Sequence, residues 1–326
     1  MKKLAALMMA VLLLLTCVAA ALADVYKDAG FIKKIPMKPK YTEEVDQHGT
    51  VEKLTYTTHA YALEEAAGKE ILVEKELYVY LPYGYDPANS YNVLYTMHGA
   101  GEDERYWLSE ERMGKGTLAL LDRMFSRGEA EPTIIVTPTT NTGKLLAEDE
   151  TVQGLRGSGP KNFWKELRNE VIPLIETKYS TYAGGDMSPE SLAASREHRA
   201  FTGFSMGSVT TVNVMQHCLD IFAYIGNYSD VNVTAGIIPD GKFEEFFAAM
   251  ESDEFKDLPI KFWYHGEGSA DYALEGHLQF CEEIKTRMAD RVTDGENYAY
   301  VEFKGGTHAY NCWLPHLYNC LLVFFK

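Results

Sequence analysis

The sequence is poor in cysteine and in basic residues, and it has no long apolar run beyond its first residues. Five cysteines occur in 326 residues. No C-x-x-C or H-E-x-x-H is present, so the common zinc-ligand spacings are missing and no metal centre is expected. Cys218, Cys281, Cys312 and Cys320 lie in apolar, helix-like segments. Cys312 and Cys320 share one such segment and would stand roughly 12 Å apart on a helix, too far to bridge. Buried free thiols are therefore expected rather than disulfides. Lysine and arginine number 31 against 47 acidic residues, a net charge of −16. Such a surface repels nucleic acid and anionic membranes and favours solubility. No later stretch is long enough to span a bilayer. No repeat, long linker or composition break divides the chain after residue 50.

What is present begins with Met1-Lys2-Lys3, an apolar run over residues 4–15, and Ala21-Leu22-Ala23. A basic start, an apolar core and a small-x-small site predict a secretory signal peptide over residues 1–23. The mature chain then starts at Asp24, in an extracellular or periplasmic location. Leu14-Leu15-Thr16-Cys17 has the outline of a lipoprotein box with Cys17 as the lipidated residue. The residue before that cysteine is larger than such boxes carry, so secretion is the expectation. Residues 24–50 have few signals and are read as an N-terminal arm. Residues 51–326 are read as one domain.

Residues 51–58 are rich in β-branched and aromatic side chains. Residues 71–81 alternate, with Val73, Lys75, Leu77, Val79 and Leu81 on one face and Glu74, Glu76, Tyr78 and Tyr80 on the other. That pattern predicts a half-exposed antiparallel pair. The period then changes. Short apolar runs at 93–97, 133–137, 200–204, 260–265 and 298–303 predict five buried strands. Helix-like stretches separate them, at 117–125, 163–179, 209–219, 242–250 and 274–288. Pro173 is expected to kink the second of these or to force an irregular turn in it. Buried strands alternating with helices predict an α/β fold, a mostly parallel sheet covered on both faces. The polar residues 184–197 read as a surface insertion.

The chemistry centres on Gly203-Phe204-Ser205-Met206-Gly207. G-x-S-x-G between a strand and a helix is a nucleophile elbow, a turn that lifts a serine hydroxyl out of the sheet. The Met206 N–H then faces the position of a developing oxyanion. An activated serine also needs a base, an acid and a second oxyanion donor. His308 follows the last strand in Lys304-Gly305-Gly306-Thr307-His308 and is the expected base. The loop Gly266-Glu267-Gly268-Ser269-Ala270-Asp271 follows the run at 260–265. Asp271 closes that loop before a helix and is the expected acid, with Glu267 as the alternative. His98-Gly99-Ala100-Gly101 follows the first buried strand, so Gly99, Ala100 and Gly101 are expected at the oxyanion. His98 is expected to brace the loop. Trp107, Trp164 and Trp313 lie beside these loops in sequence and are candidates for a substrate cleft, with core packing as the other reading.

These stretches resemble the family 1 carbohydrate esterases, the feruloyl and acetylxylan esterase group within the esterase D branch of the α/β hydrolases. The resemblance runs from about residue 51 to the C-terminus. Besides the elbow it rests on Val79-Tyr80-Leu81-Pro82-Tyr83-Gly84-Tyr85, Met97-His98-Gly99-Ala100-Gly101, Ile134-Ile135-Val136-Thr137-Pro138 and Arg196-Glu197-His198-Arg199-Ala200. Gly305-Gly306-Thr307-His308 and Asn311-Cys312-Trp313-Leu314-Pro315 complete it. It implies an α/β-hydrolase fold, Ser205 as nucleophile, His308 as base and Asp271 as acid. It also implies no metal or organic cofactor, and ester-decorated xylan as substrate. Ser208 stands where such enzymes often carry glycine. Residues 184–197 and the Asp271–His308 interval are longer than usual and are expected to reshape the cleft. Related branches cleave siderophore esters or S-formylglutathione, or transfer acyl groups. A non-catalytic polysaccharide binder on the same fold is the rival outside enzymology.

Overall fold

Among the described residues eight strands form one sheet in the order β1-β2-β4-β3-β5-β6-β7-β8. They are β1 Thr50–His59, β2 Leu72–Leu81, β3 Asn92–Met97, β4 Thr133–Thr137, β5 Arg199–Phe204, β6 Tyr224–Tyr228, β7 Phe262–Gly268 and β8 Tyr298–Phe303. β1 and β2 form an antiparallel pair, and β2 joins β4 antiparallel. From β4 to β8 every neighbour is parallel. With helices on both faces this is the α/β-hydrolase fold. The computed structural model describes residues 24–142, 158–238 and 243–326. The expected signal peptide and Cys17 lie outside the described residues.

Strand periodicity divides the core in two. Val93, Tyr95 and Met97 of β3 face a cluster that includes Phe163, Leu167, Ile175, Phe201 and Trp263. Leu94 faces the other way, onto Tyr264, Leu317 and Leu321. The strand β6 was not expected. Its five residues include Gly226 and Asn227, both weak strand formers, and no alternation marks it. Its place between β5 and β7, rather than its own propensity, makes it a strand.

Pro173 acts as expected. A π-helical turn over Leu167–Val171 precedes it, and the helix resumes over Ile172–Lys178. The wider turn absorbs the missing N–H. Residues 184–197 lie mostly at the surface, as expected, yet they are also tied into the fold. They contain a short helix, Pro189–Ala194, and bury Leu192, Ser195 and Arg196. The Arg196 guanidinium donates to the carbonyls of Leu219, Phe222 and Pro259. These contacts lie where the chain enters β5, β6 and β7, at the end of the sheet opposite Ser205. The segment braces the floor of the fold and leaves the cleft untouched.

The arm also packs. Val25, Phe31 and Ile32 are buried, and the Ile32 N–H donates to Asn319 Oδ1 at 2.8 Å. The Gly49 N–H donates to Asp122 Oδ1, which also accepts from the Tyr80 hydroxyl. Tyr80, expected on the exposed row of β2, is thereby buried completely.

A deeply buried ion pair joins Arg199 on β5 to Glu176, each with a side chain only 1% exposed. One guanidinium edge, Nε and Nη2, reaches the two carboxylate oxygens at 2.5 and 2.9 Å. Glu176→Ala strands the arginine charge in a dry core and is expected to cost about 3–5 kcal/mol. Urea unfolding of the purified variant checks this. A loss below about 1 kcal/mol would mean that water reaches Arg199.

Candidate active site

β5 delivers the chain into a turn where Ser205 has φ 55° and ψ −122°, and the helix Met206–Cys218 leaves it. Positive φ in a non-glycine residue is strained, and here it aims the hydroxyl outward. The flanking glycines are required by close approach. A Cβ on Gly203 would sit 2.3 Å from the Gly207 carbonyl oxygen, and one on Gly207 would sit 2.6 Å from those of Met97 and His98. The Ser205 N–H donates to the Tyr228 carbonyl at 3.0 Å, which anchors the turn to β6.

His308 Nε2 lies 2.8 Å from Ser205 Oγ. Its Nδ1 lies 2.9 and 3.0 Å from the two Asp271 oxygens. The Ala270 N–H donates to the Gly306 carbonyl, and the Gly305 N–H to Ser269 Oγ, so the acid and histidine loops are tied together. Burial pushes the Asp271 carboxyl up. Hydrogen bonds from His308, the Ala273 N–H and Ser229 outweigh that and hold it below the usual carboxylate range. An ionised Asp271 fixes the proton on Nδ1 and leaves the Nε2 lone pair for the serine proton. Of the two candidate acids, Asp271 is the one whose carboxylate meets His308. Glu267 turns away, to His277 Nδ1 at 2.8 Å and its neighbour's Gly268 N–H at 2.9 Å.

The Met206 N–H has no acceptor among the described residues. The loop Gly99-Ala100-Gly101 lies against the serine: a Cβ on Gly99 would come 3.4 Å from Ser205 Cβ and 2.5 Å from the Phe204 ring. Gly101 has φ 78°. His98 braces this loop as expected. Its Nδ1 contacts the Gly99 carbonyl at 2.8 Å and its Nε2 the Thr139 hydroxyl at 2.7 Å. Lys75 donates to the Thr139 carbonyl and pairs with buried Glu166. Burial pushes the His98 imidazole down to about 4, so it is neutral at pH 7. His98→Ala is expected to lower kcat roughly 10²-fold with little change in KM, the loss typical of one displaced oxyanion donor. Steady-state kinetics on a soluble ester check it.

The three tryptophans fare differently. Trp107 is fully buried and packs edge-on against Phe204 at 5.4 Å, so it is core and not a cleft wall. Trp313 is stacked on Phe204 at 3.9 Å and lies edge-on to His308 at 5.3 Å. Its Nε1 donates to Ser229 Oγ, and it forms a floor beneath the imidazole. Trp164 stacks on His217 at 4.4 Å and lines a separate pocket of about 830 Å³ with Asn213, Gln216 and Phe246.

Two features escaped the sequence. Tyr272 is 63% exposed, with its hydroxyl 3.1 Å from His308 Nε2 and its ring 4.4 Å from the imidazole. Its place beside Asp271 was the available signal. The loop after β6 is the second. Ser229, with φ 44°, supports Trp313, while Asp230 accepts from the Ser208 hydroxyl at 2.7 Å and from the Asn232 N–H. Ser208 packs behind the elbow as expected, and its hydroxyl ties the elbow helix to β6. All four cysteines in the described residues are buried and free. Among the described residues no helix is long and apolar enough to cross a membrane.

A family model described as "Putative esterase" matches residues 69–324. The chain is 40% identical over 303 residues, 92% of its length, to endo-1,4-beta-xylanase Y of Acetivibrio thermocellus. It is 26% identical over 202 residues, 59% of its length, to an endo-1,4-beta-xylanase/feruloyl esterase of Xylanibacter ruminicola. It spans about a quarter of each of these relatives: 25% and 24%. Among solved structures it resembles a mutant feruloyl esterase module from Clostridium thermocellum complexed with sinapinate. The TM-score is 0.70 at 32% identity, covering 91% of this chain and 95% of that one.

Proposed function

The chain belongs to this esterase family, within the family 1 carbohydrate esterases, and is an ester hydrolase; from that premise we propose that it is an exported serine esterase that removes feruloyl or acetyl groups from xylan. The observation that carries the mechanism is the unbroken relay from Ser205 Oγ through His308 to Asp271. His308 Nε2 takes the hydroxyl proton as Ser205 attacks the ester carbonyl. Asp271 holds the imidazole and offsets the charge that develops on it. The Met206 N–H and the 99–101 loop receive the oxyanion. The protonated His308 gives its proton to the leaving sugar hydroxyl, and an acyl-Ser205 remains. Water then repeats the sequence and releases the acid. Export rests on residues 1–23, and the substrate class on the relatives named above.

The test compares release of ferulate from methyl ferulate and feruloylated arabinoxylan with release of acetate from acetylated xylan, using Ser205→Ala as the blank. Turnover of a siderophore ester alone would overturn the cell-wall reading. Failure of Ser205 to react with a fluorophosphonate would overturn the serine mechanism. Tyr272 offers an exposed ring beside the base, suited to an aromatic acyl group. Tyr272→Ala is expected to raise KM for methyl ferulate about 2–10-fold, the worth of one aromatic contact, and to leave KM for a small acetyl ester unchanged. Equal effects on both esters would remove Tyr272 from acyl recognition.

A further inference from the structure

A group of metal-binding side chains lies beneath the acid loop, apart from the Ser205 relay. His265 is on β7, and His277 and Cys281 are on the helix Leu274–Arg287. Their donor atoms all lie within 4.8 Å of one another, and all three residues are buried. His277 and Cys281 are four residues apart, which places them on one face of the helix. His265 Nδ1 lies 2.9 Å from His277 Nε2. The His277 Nδ1 lies 2.8 Å from Glu267 Oε2. Among the described residues His265 Nε2 has no hydrogen-bond partner, while the buried Tyr298 hydroxyl faces Cys281 and its ring lies 5.2 Å from that of His265. Among the described residues the one hydrogen bond of the His265 side chain is therefore that which Nδ1 makes into this cluster.

We propose that His265 Nδ1, His277 Nε2 and Cys281 Sγ bind a structural divalent ion of the zinc class. Two imidazoles and a thiolate are the donor set that suits zinc. Glu267 on His277 Nδ1 supplies the outer carboxylate that fixes the tautomer and turns Nε2 toward the metal. Charge balances as well: the thiolate and the Glu267 carboxylate together offset the two positive charges, which a dry core requires. On loading, the ion replaces the hydrogen bond between the two imidazoles. The proton that His277 Nε2 holds against His265 Nδ1 and the Cys281 thiol proton leave to solvent, while His265 keeps its proton on Nε2 and His277 on Nδ1, two protons released per ion bound. The ion pins β7 to the following helix across residues 269–273, the loop that carries Asp271 and Tyr272. Missing C-x-x-C and H-E-x-x-H motifs did not reveal this site, because its ligands come from a strand and a helix that only folding brings together.

The site is buried, so it loads during folding. The purified chain is unfolded with chelator and reductant, then refolded with one equivalent of zinc, one of cobalt, or none. About one ion per chain after gel filtration, a thiolate-to-cobalt absorption in the near ultraviolet, and a Tm higher by about 5 °C than the metal-free form are expected. Cys281→Ala should lose both the ion and the absorption. Less than about 0.1 ion per chain in the refolded protein overturns the proposal, as does a cobalt spectrum without thiolate absorption. An unchanged cobalt spectrum in Cys281→Ala also overturns it. Should that variant fail to fold, the stoichiometry and spectrum of the unaltered chain decide. None of these readouts depends on the ester that is cleaved.

Discussion

Ser205→Ala is expected to lower kcat for ester hydrolysis on the order of 10⁵–10⁶-fold and to leave folding stability within about 1 kcal/mol. The Ser205 hydroxyl makes a single side-chain hydrogen bond, to His308 Nε2. On the proposed mechanism, removing it takes away the atom that would form the acyl bond and disturbs little else. Alanine carries the same Cβ into the strained φ of 55°, so the turn keeps its cost and its shape. The oxyanion loop and the binding surface remain, which leaves a residual rate of about 10³-fold over water. The measurements are kcat on methyl ferulate, the unfolding midpoint, and fluorophosphonate labelling of the intact chain. Activity within tenfold of the unaltered protein would assign the chemistry to another group.

Asp271→Asn is expected to lower kcat about 10⁴-fold with the fold intact. The cause is the direction of the hydrogen bonds around the carboxylate. The Ala273 N–H donates to Asp271 Oδ1 at 3.0 Å, so an asparagine there places its carbonyl oxygen toward Ala273. Its amide nitrogen then faces His308 Nδ1. The amide N–H at the Oδ2 side favours an unprotonated Nδ1, in competition with the oxygen 2.9 Å away at Oδ1, so the imidazole proton shifts toward Nε2 and the lone pair that Ser205 needs is depleted. Melting curves and kcat of this variant, measured with the same ester, separate a wrong tautomer from a lost fold. A drop below tenfold would return the acid role to another residue.

The Asp271 carboxyl also has a defined pH signature. Its folded pKa lies below the unfolded value. Its contribution to stability is therefore complete above the unfolded pKa, about 4, and is lost as pH falls through the folded value. Loss of activity between pH 7 and pH 5 is then not a protonation of Asp271. A pH–rate profile paired with unfolding midpoints at each pH checks this, because the two curves should part in that range.

Much of this site was legible because its parts are local. Gly203 and Gly207 mark the elbow by the backbone contacts that a side chain would violate. His308 and Asp271 follow β8 and β7 at the loops where the fold needs them. What stayed hidden depends on contacts between distant segments. Asp271 and Glu267 stand in one loop and look alike in sequence; the helix bearing His277 draws Glu267 inward, and the His308 loop claims Asp271. β6 has no pattern of its own, yet its loop holds Ser229 under Trp313 and Asp230 against Ser208. Trp107 sits near the oxyanion loop in sequence, but Phe204 and Tyr106 enclose it.

The sequence by itself determined the alternation of strands and helices, the serine turn, and the order serine, acid, histidine. These follow from periodicity and from backbone sterics, which act over a few residues. Tertiary structure alone decided which carboxylate meets His308, which tryptophan underlies it, that Tyr272 stands at its edge, and that His265, His277 and Cys281 converge. Each of those outcomes is set by where two side chains far apart in the chain point once the sheet has closed. No local pattern encodes that direction, because burial and hydrogen bonding are settled by the packing of the whole sheet and its helices.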